Sequence, residues 1–217
     1  MAHQFEKPDV IILGHARSGT HFLEACLASH PKIHKRGECI LRFKRNRGDP
    51  ALHEECLRDH LFINRPNHLN IAIVRYGDVS LLNQLCGPLF EFRVIHLLRA
   101  PEDVALSVAQ MWADRRLHGK DFKAHYKINE PMRPHGPIRL DELEKLKAKV
   151  HSEQSDYIKY LASHANIITL KYEEMTNNEQ TNLLPDALGR RILDFLGLEF
   201  CPLRNKLQKT GVSHVRE

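Results

Sequence analysis

The chain has no apolar run near the ~18 residues that a membrane-spanning helix requires, so no membrane span is expected. Its first residues, Met1 to Pro8, are polar and lack the apolar core of a signal peptide. The five cysteines (Cys26, Cys39, Cys56, Cys86 and Cys201) are odd in number and form no CxxC pair. Reduced, mostly buried thiols in a cytoplasm are the expectation. There is no internal repeat and no low-complexity tract. Fifteen histidines are present, but they do not fall into a metal pattern. His30 and His34 have helical spacing, and Pro31 between them argues against a helix there. No metal site is expected.

At 217 residues one domain is the default, covering 1–217, and hydrophobic residues at 42% suffice for a core. The net charge of +5 and a pI of about 9.0 suit an anionic ligand. Nucleic acid is not the expected partner, because the basic residues are spread out. The one dense cluster, Lys35, Arg36, Arg42, Lys44, Arg45 and Arg47, reads as a solvated loop or the rim of an anion site.

Strand and helix patterns alternate. Strands are expected at Val10–Leu13, Asn70–Arg75, Phe92–Leu98 and Asn166–Lys171. Helices are expected at Gly19–Ser29, Ala51–Phe62, Val79–Leu85, Pro101 to about Leu117, Leu140–Leu161 and Leu183–Leu196. His30–Pro50 reads as a charged loop, and 118–137 as a long loop on the substrate side. The alternation predicts an α/β fold, a single P-loop-like domain with a central parallel sheet flanked by helices. Ligands of such sheets lie beyond the C-terminal ends of the strands.

The first strand runs into Gly14-His15-Ala16-Arg17-Ser18-Gly19-Thr20 and then a helix. A strand, a glycine-bounded turn and a helix start aim backbone N–H groups at an anion. The Walker A loop GxxxxGK[ST] keeps a lysine after its second glycine. Here Thr20 holds that position, His21 follows, and the cation has moved inside the loop to Arg17. Such a loop suits a 5′-phosphate-like group other than the β,γ-phosphates of a nucleoside triphosphate. At the end of a second strand stands Arg99, where a metal-dependent nucleotide hydrolase would offer an Asp. Its guanidinium suits a second phosphate, or else an ion pair with Glu102 or Asp103. A third strand ends in Lys171-Tyr172-Glu173-Glu174-Met175.

In this order and spacing, the set resembles the sulfotransferase superfamily that uses 3′-phosphoadenosine 5′-phosphosulfate (PAPS). That family's first loop reads P-[KR]-[ST]-G-[ST], and Ala16-Arg17-Ser18-Gly19-Thr20 departs from it only at the proline. Its second motif, an Arg after a strand with a Ser eight residues on, is matched by Arg99 and Ser107. A Tyr-Glu-x-[ML] segment near the adenine is matched by Tyr172 to Met175. The resemblance is closer to the carbohydrate and tyrosylprotein branches, whose first helix is followed by His-Pro and Gly-Glu, here His30-Pro31 and Gly37-Glu38. It covers residues 10 to about 210.

The resemblance implies a PAPS-dependent sulfotransferase that yields 3′,5′-ADP without a metal. Arg17, Ser18, Gly19, Thr20 and His21 would hold the 5′-phosphosulfate, with Arg17 also stabilising charge on the leaving oxygen. Arg99 and Ser107 would hold the 3′-phosphate, Tyr172 the adenine side, and Lys209, in Leu207–Gly211, would reach toward the 3′-phosphate side of the cofactor. Glu38 is the implied general base, with His15, His21 and His96 as alternatives. Arg75 would face the sulfuryl group or lie on the surface beside Tyr76. The acceptor hydroxyl is expected on a carbohydrate or glycolipid, with a peptide tyrosine second. The rival readings are a P-loop kinase or nucleotidase with a degenerate loop, and a nucleotide-binding protein without turnover. Oligomeric state is not legible.

Overall fold

Five strands, all parallel, form one sheet in the order β2-β3-β1-β4-β5: β1 Val10–Gly14, β2 Ile33–Lys35, β3 Leu69–Arg75, β4 Arg93–Leu98 and β5 Ile167–Lys171. The computed structural model describes residues 5–46, 62–119, 122, 134–176 and 183–204. β1, β3 and β4 are near-continuous Val/Ile/Leu runs buried on both faces, as the middle strands of a helix-covered parallel sheet must be. β5, at the edge, alternates buried and exposed positions.

The helices are α1 Thr20–Leu27, α2 Cys39–Asn46, α3 Val79–Cys86, α4 Pro101–His118, α5 Leu140–Leu161, α6 Tyr172–Thr176 and α7 Asp186–Leu196. They divide between two cores. On one face Val10, Ile12, Ile71, Ile73, Ile95 and Leu97 pack with residues of α1 and α7. On the other, Ile11, Leu13, Ala72, Val74 and Val94 pack with Ile40, Phe43, Leu82 and Leu161. A smaller cluster joins α4 to α5 through Val104, Ala105, Val108, Leu146 and Val150. In α4 the first turn holds Pro101 at its start with Glu102 and Asp103, and the last turn holds Arg115, Arg116 and His118. Each charge thus complements its end of the helix dipole.

Three expectations need correction. The span 30–50 is not all loop. Ile33–Lys35 adds a short edge strand to β3, and Cys39, Ile40 and Phe43 give α2 a buried stripe that the surrounding charge conceals. Arg36, expected in a solvated cluster, is fully buried. It donates to the Glu6 carbonyl at 2.7 Å and to Asn64 Oδ1 at 2.9 Å, and lies 4.9 Å from the Phe5 ring. The last helix begins at Asp186 rather than Leu183, because a proline disfavours helical backbone in the residue before it and Pro185 instead caps the helix. The helix expected at 51–61, most of the loop 118–137, and Lys209 lie outside the described residues. Among the described residues no helix is long and apolar enough to cross a membrane. Cys26 and Cys39 are buried thiols, and Cys86 and Cys201, also free, are half-buried.

Candidate active site

Strand register sets the site. Gly14 lies opposite Arg75 of β3 and Leu97 of β4, and Leu98 lies opposite Lys171 of β5. The loop after β1, Arg75, Arg99 and Tyr172 therefore share one edge of the sheet. The chain turns to one side of β1 for β2 and β3 and to the other for β4 and β5. The crevice at such a switch point is where open α/β sheets bind ligands.

The loop is tightly specified. Arg17 and Gly19 both have positive φ, 70° and 98°. Ser18 is buried, and its Oγ donates to the His15 carbonyl at 2.8 Å. A side chain at Gly14 would meet Ser18 Oγ and the Leu97 carbonyl. At Gly19 it would run into the Tyr172 ring, so this glycine lets the ring close on the loop. α1 then starts with no side-chain cap and no acidic residue in its first turn, which leaves its positive end available to an anion.

Arg17, Arg99, Ser107 and Tyr172 converge here. Arg17 Nε donates to Ser107 Oγ at 3.2 Å, and Arg99 Nη1 donates to the Arg17 carbonyl at 3.1 Å. The Arg99 guanidinium lies 4.3 Å from the Tyr172 ring centroid. Asp103 Oδ2 stands 4.0 Å from Arg99 Nε, yet that buried nitrogen has no hydrogen-bond acceptor among the described residues. Burial, and then the charge of Arg99, lower the pKa of Arg17. Two guanidiniums held together in a half-buried crevice are suited to an anion. The donor set fits a group carrying more than one phosphate.

A second cluster lies on the β3 side. The Arg75 side chain is one-third exposed and is held by an ion pair. It grips Glu38 in a bidentate pair, Nε to Oε1 at 2.7 Å and Nη2 to Oε2 at 2.6 Å. His21 Nε2 is 3.5 Å from Glu38 Oε1. Burial alone would raise the Glu38 pKa, but hydrogen bonds from His21 and Arg75, with the Arg75 charge, bring it down to about 2. His21, on the first turn of α1, thus faces Glu38.

Two of the alternative bases are engaged with other partners. His96 is buried in the sheet, 2.7 Å from the Tyr76 hydroxyl, and burial lowers its pKa to about 4. His15 Nε2 is 2.6 Å from Glu153 Oε2, which ties the loop to α5. Among the described residues no group of three His, Cys, Asp or Glu is disposed to hold a metal ion.

Reading by motif missed Glu24 and the Glu153 contact. Glu24 is buried, and its Oε1 accepts the Gly37 N–H at 2.7 Å, which fixes the turn that carries Glu38. Its signal was a charge at the buried spacing Thr20, Glu24, Leu27. The Glu153 contact spans a long sequence separation and has no local signal.

The profile of the sulfotransferase domain family matches residues 7–210. The chain belongs to that family, and its sheet and phosphate loop are of the family's P-loop-like type. No curated protein matches the sequence. Among solved structures, a sulfotransferase from Alicyclobacillus acidocaldarius is 15% identical with a TM-score of 0.55, over 95% of this chain and 87% of that one. The sulfotransferase domain of the curacin biosynthetic pathway is 14% identical with a TM-score of 0.54, over 90% and 75%. A mouse sulfotransferase solved with PAP is 17% identical with a TM-score of 0.55, over 92% of this chain and 62% of its own. At these identities the likeness is one of fold.

Proposed function

We propose that the chain moves the sulfuryl group of PAPS to an acceptor hydroxyl on a carbohydrate or glycolipid. One observation carries the reading: Arg17 and Arg99 converge at the uncapped start of α1, with Tyr172 closed over Gly19. Family membership makes PAPS the donor and 3′,5′-ADP the product. The described crevice suits such a donor, since its two cations can serve two separate phosphates.

In this reading the Gly14–Thr20 loop, with Ser18, Gly19, Thr20 and His21, holds the 5′-phosphosulfate. Arg17 faces the oxygen on which charge develops, a contribution whose loss typically costs about 10²–10³ in rate. Arg99 and Ser107 hold the 3′-phosphate, and Tyr172 lies at the adenine side. Glu38, ionised and turned toward His21, receives the acceptor proton, and Arg75 fixes its carboxylate. Lys209 is assigned to the 3′-phosphate side from its motif alone. Residues 1–217 are taken as one domain, with 118–137 bordering the acceptor. The Gly37-Glu38 motif is shared by the carbohydrate and tyrosylprotein branches, and of the two acceptors we take the carbohydrate first; the thiols suit a cytoplasmic setting.

Titration calorimetry tests the donor site. 3′,5′-ADP should bind without Mg²⁺, more tightly than ATP does with Mg²⁺. Binding of ATP–Mg²⁺ with no response to 3′,5′-ADP would replace this reading with the kinase one.

A further inference from the structure

Two neighbouring residues of α5 reach the two segments that carry the paired guanidiniums of the crevice. Glu153 Oε2 lies 2.6 Å from His15 Nε2, in the loop after β1. Gln154 Nε2 donates to the Arg99 carbonyl at 3.3 Å, directly after β4.

Each contact bears on the backbone of its segment. The His15 carbonyl accepts from the Ser18 N–H at 3.2 Å and from Ser18 Oγ at 2.8 Å. Those two bonds close the turn in which Arg17 adopts a φ of 70°, a region costly for a residue with a side chain. Such a turn persists only where its surroundings hold it. The His15 ring is held on two sides, by Glu153 and by the Tyr76 ring, whose centroid is 5.6 Å away at an angle of 83°. At the other segment, Gln154 holds the main chain of the same Arg99 whose guanidinium donates to the Arg17 carbonyl and lies over Tyr172. α5 is fixed in turn. Leu146 and Val150, on the turns before Glu153, pack on Val104, Ala105 and Val108 of α4, the helix that starts just after Arg99 and carries Ser107. Lys149 Nζ stands 3.7 Å from Glu153 Oε1 and steadies that carboxylate from the same helix. α5 is thus a backing to which both segments are pinned, one residue apart.

We propose that Glu153 and Gln154 are positioning residues that set the separation of two phosphate subsites, and so make the crevice selective for a 3′,5′-bisphosphorylated nucleoside over a 5′-monophosphate. The proposal rests on the sulfuryl-transfer reading above, which gives the loop to the 5′-phosphate and Arg99 with Ser107 to the 3′-phosphate. Glu153 acts through His15, and Gln154 acts through the Arg99 main chain. A ligand with two phosphates gains the second contact only when both subsites already lie at the right distance. A single phosphate can follow a single displaced subsite.

Calorimetry on the full chain tests this with 3′,5′-ADP and 5′-AMP, in wild type, Glu153→Met, Gln154→Met and Glu153→Gln. Methionine keeps the unbranched stem and the helix propensity but supplies neither the carboxylate nor the amide. Each methionine variant should lower 3′,5′-ADP affinity about three- to tenfold, the effect of one lost hydrogen bond, and 5′-AMP affinity by less than about twofold. Retained 5′-AMP binding shows that the fold is intact. Glu153→Gln keeps an oxygen facing the ring and should keep the wild-type ratio of the two affinities. Amide exchange of Ser18 gives a readout that needs no ligand: it should be faster in Glu153→Met and unchanged in Gln154→Met. Equal losses for both nucleotides, an unchanged ratio in the methionine variants, or a ratio in Glu153→Gln as low as in Glu153→Met overturns the positioning role. So does unchanged Ser18 exchange in Glu153→Met. A wild type that binds neither nucleotide overturns the function reading, while Ser18 exchange still judges the link from Glu153 to the loop.

Discussion

Replacing Glu38 by Gln should cost stability in a pH-dependent way that follows from its pairing with Arg75. The Glu38 side chain is only 14% exposed and accepts two charge-assisted hydrogen bonds from Arg75. A carboxyl whose pKa falls from 4.5 to about 2 on folding contributes about 3 kcal/mol near neutral pH. Because the folded-state pKa lies below the unfolded one, the contribution is complete above the unfolded value. It is lost as pH falls through the folded value. Urea unfolding of both proteins between pH 6 and pH 3 measures this. The wild type should exceed Glu38→Gln by about 3 kcal/mol at pH 6, and the gap should narrow to about 1 kcal/mol at pH 3. Parallel stability curves would refute the reasoning, since they would mean that Glu38 titrates alike in both states.

Further outcomes follow from the crevice and the core. Arg99→Met removes a guanidinium with a buried, unsatisfied Nε and should weaken 3′,5′-ADP binding about tenfold to a hundredfold in calorimetry. Gly19→Ala places a methyl group against the Tyr172 ring at a φ of 98°. It should lower stability by about 1–3 kcal/mol in thermal or urea unfolding, with weaker 3′,5′-ADP binding. Burial pushes the Cys39 thiol up to about 12, so iodoacetamide at mildly alkaline pH should modify it only after denaturation, as peptide mapping would show.

The central strands and the phosphate loop were legible because their signals are local. A β-branched run followed by glycines at fixed spacing has few other uses, and Val10–Gly14, Leu69–Arg75 and Arg93–Leu98 appear within a residue or so of expectation. Leu140–Leu161 appears as expected, since its period persists over 22 residues. α2 was hidden because its four apolar residues stand among four basic or polar ones, a mixture that reads as a solvated loop. The charge of Arg36 likewise suggested solvent, although Glu6, Asn64 and Phe5 bury it from distant parts of the chain. Within the site, Arg17, Arg99, Ser107 and Tyr172 were named from spacing and lie together. The partners of Glu38 were not legible. Arg75 is 37 residues away and meets it only because β3 lies between β2 and β1. Glu24 was passed over because a charge inside an apolar helix face reads as an interruption, not as a buried group that holds the Gly37 turn.

The most direct measurement of the central claim is transfer itself. Radiolabelled PAPS would be incubated with the protein and with separate sugar, lipid and peptide pools, without Mg²⁺. The account predicts label in a carbohydrate or glycolipid product, with 3′,5′-ADP released in equal amount and the signal abolished in Glu38→Gln. Label entering no pool, while the γ-phosphate of ATP–Mg²⁺ is transferred, would contradict it.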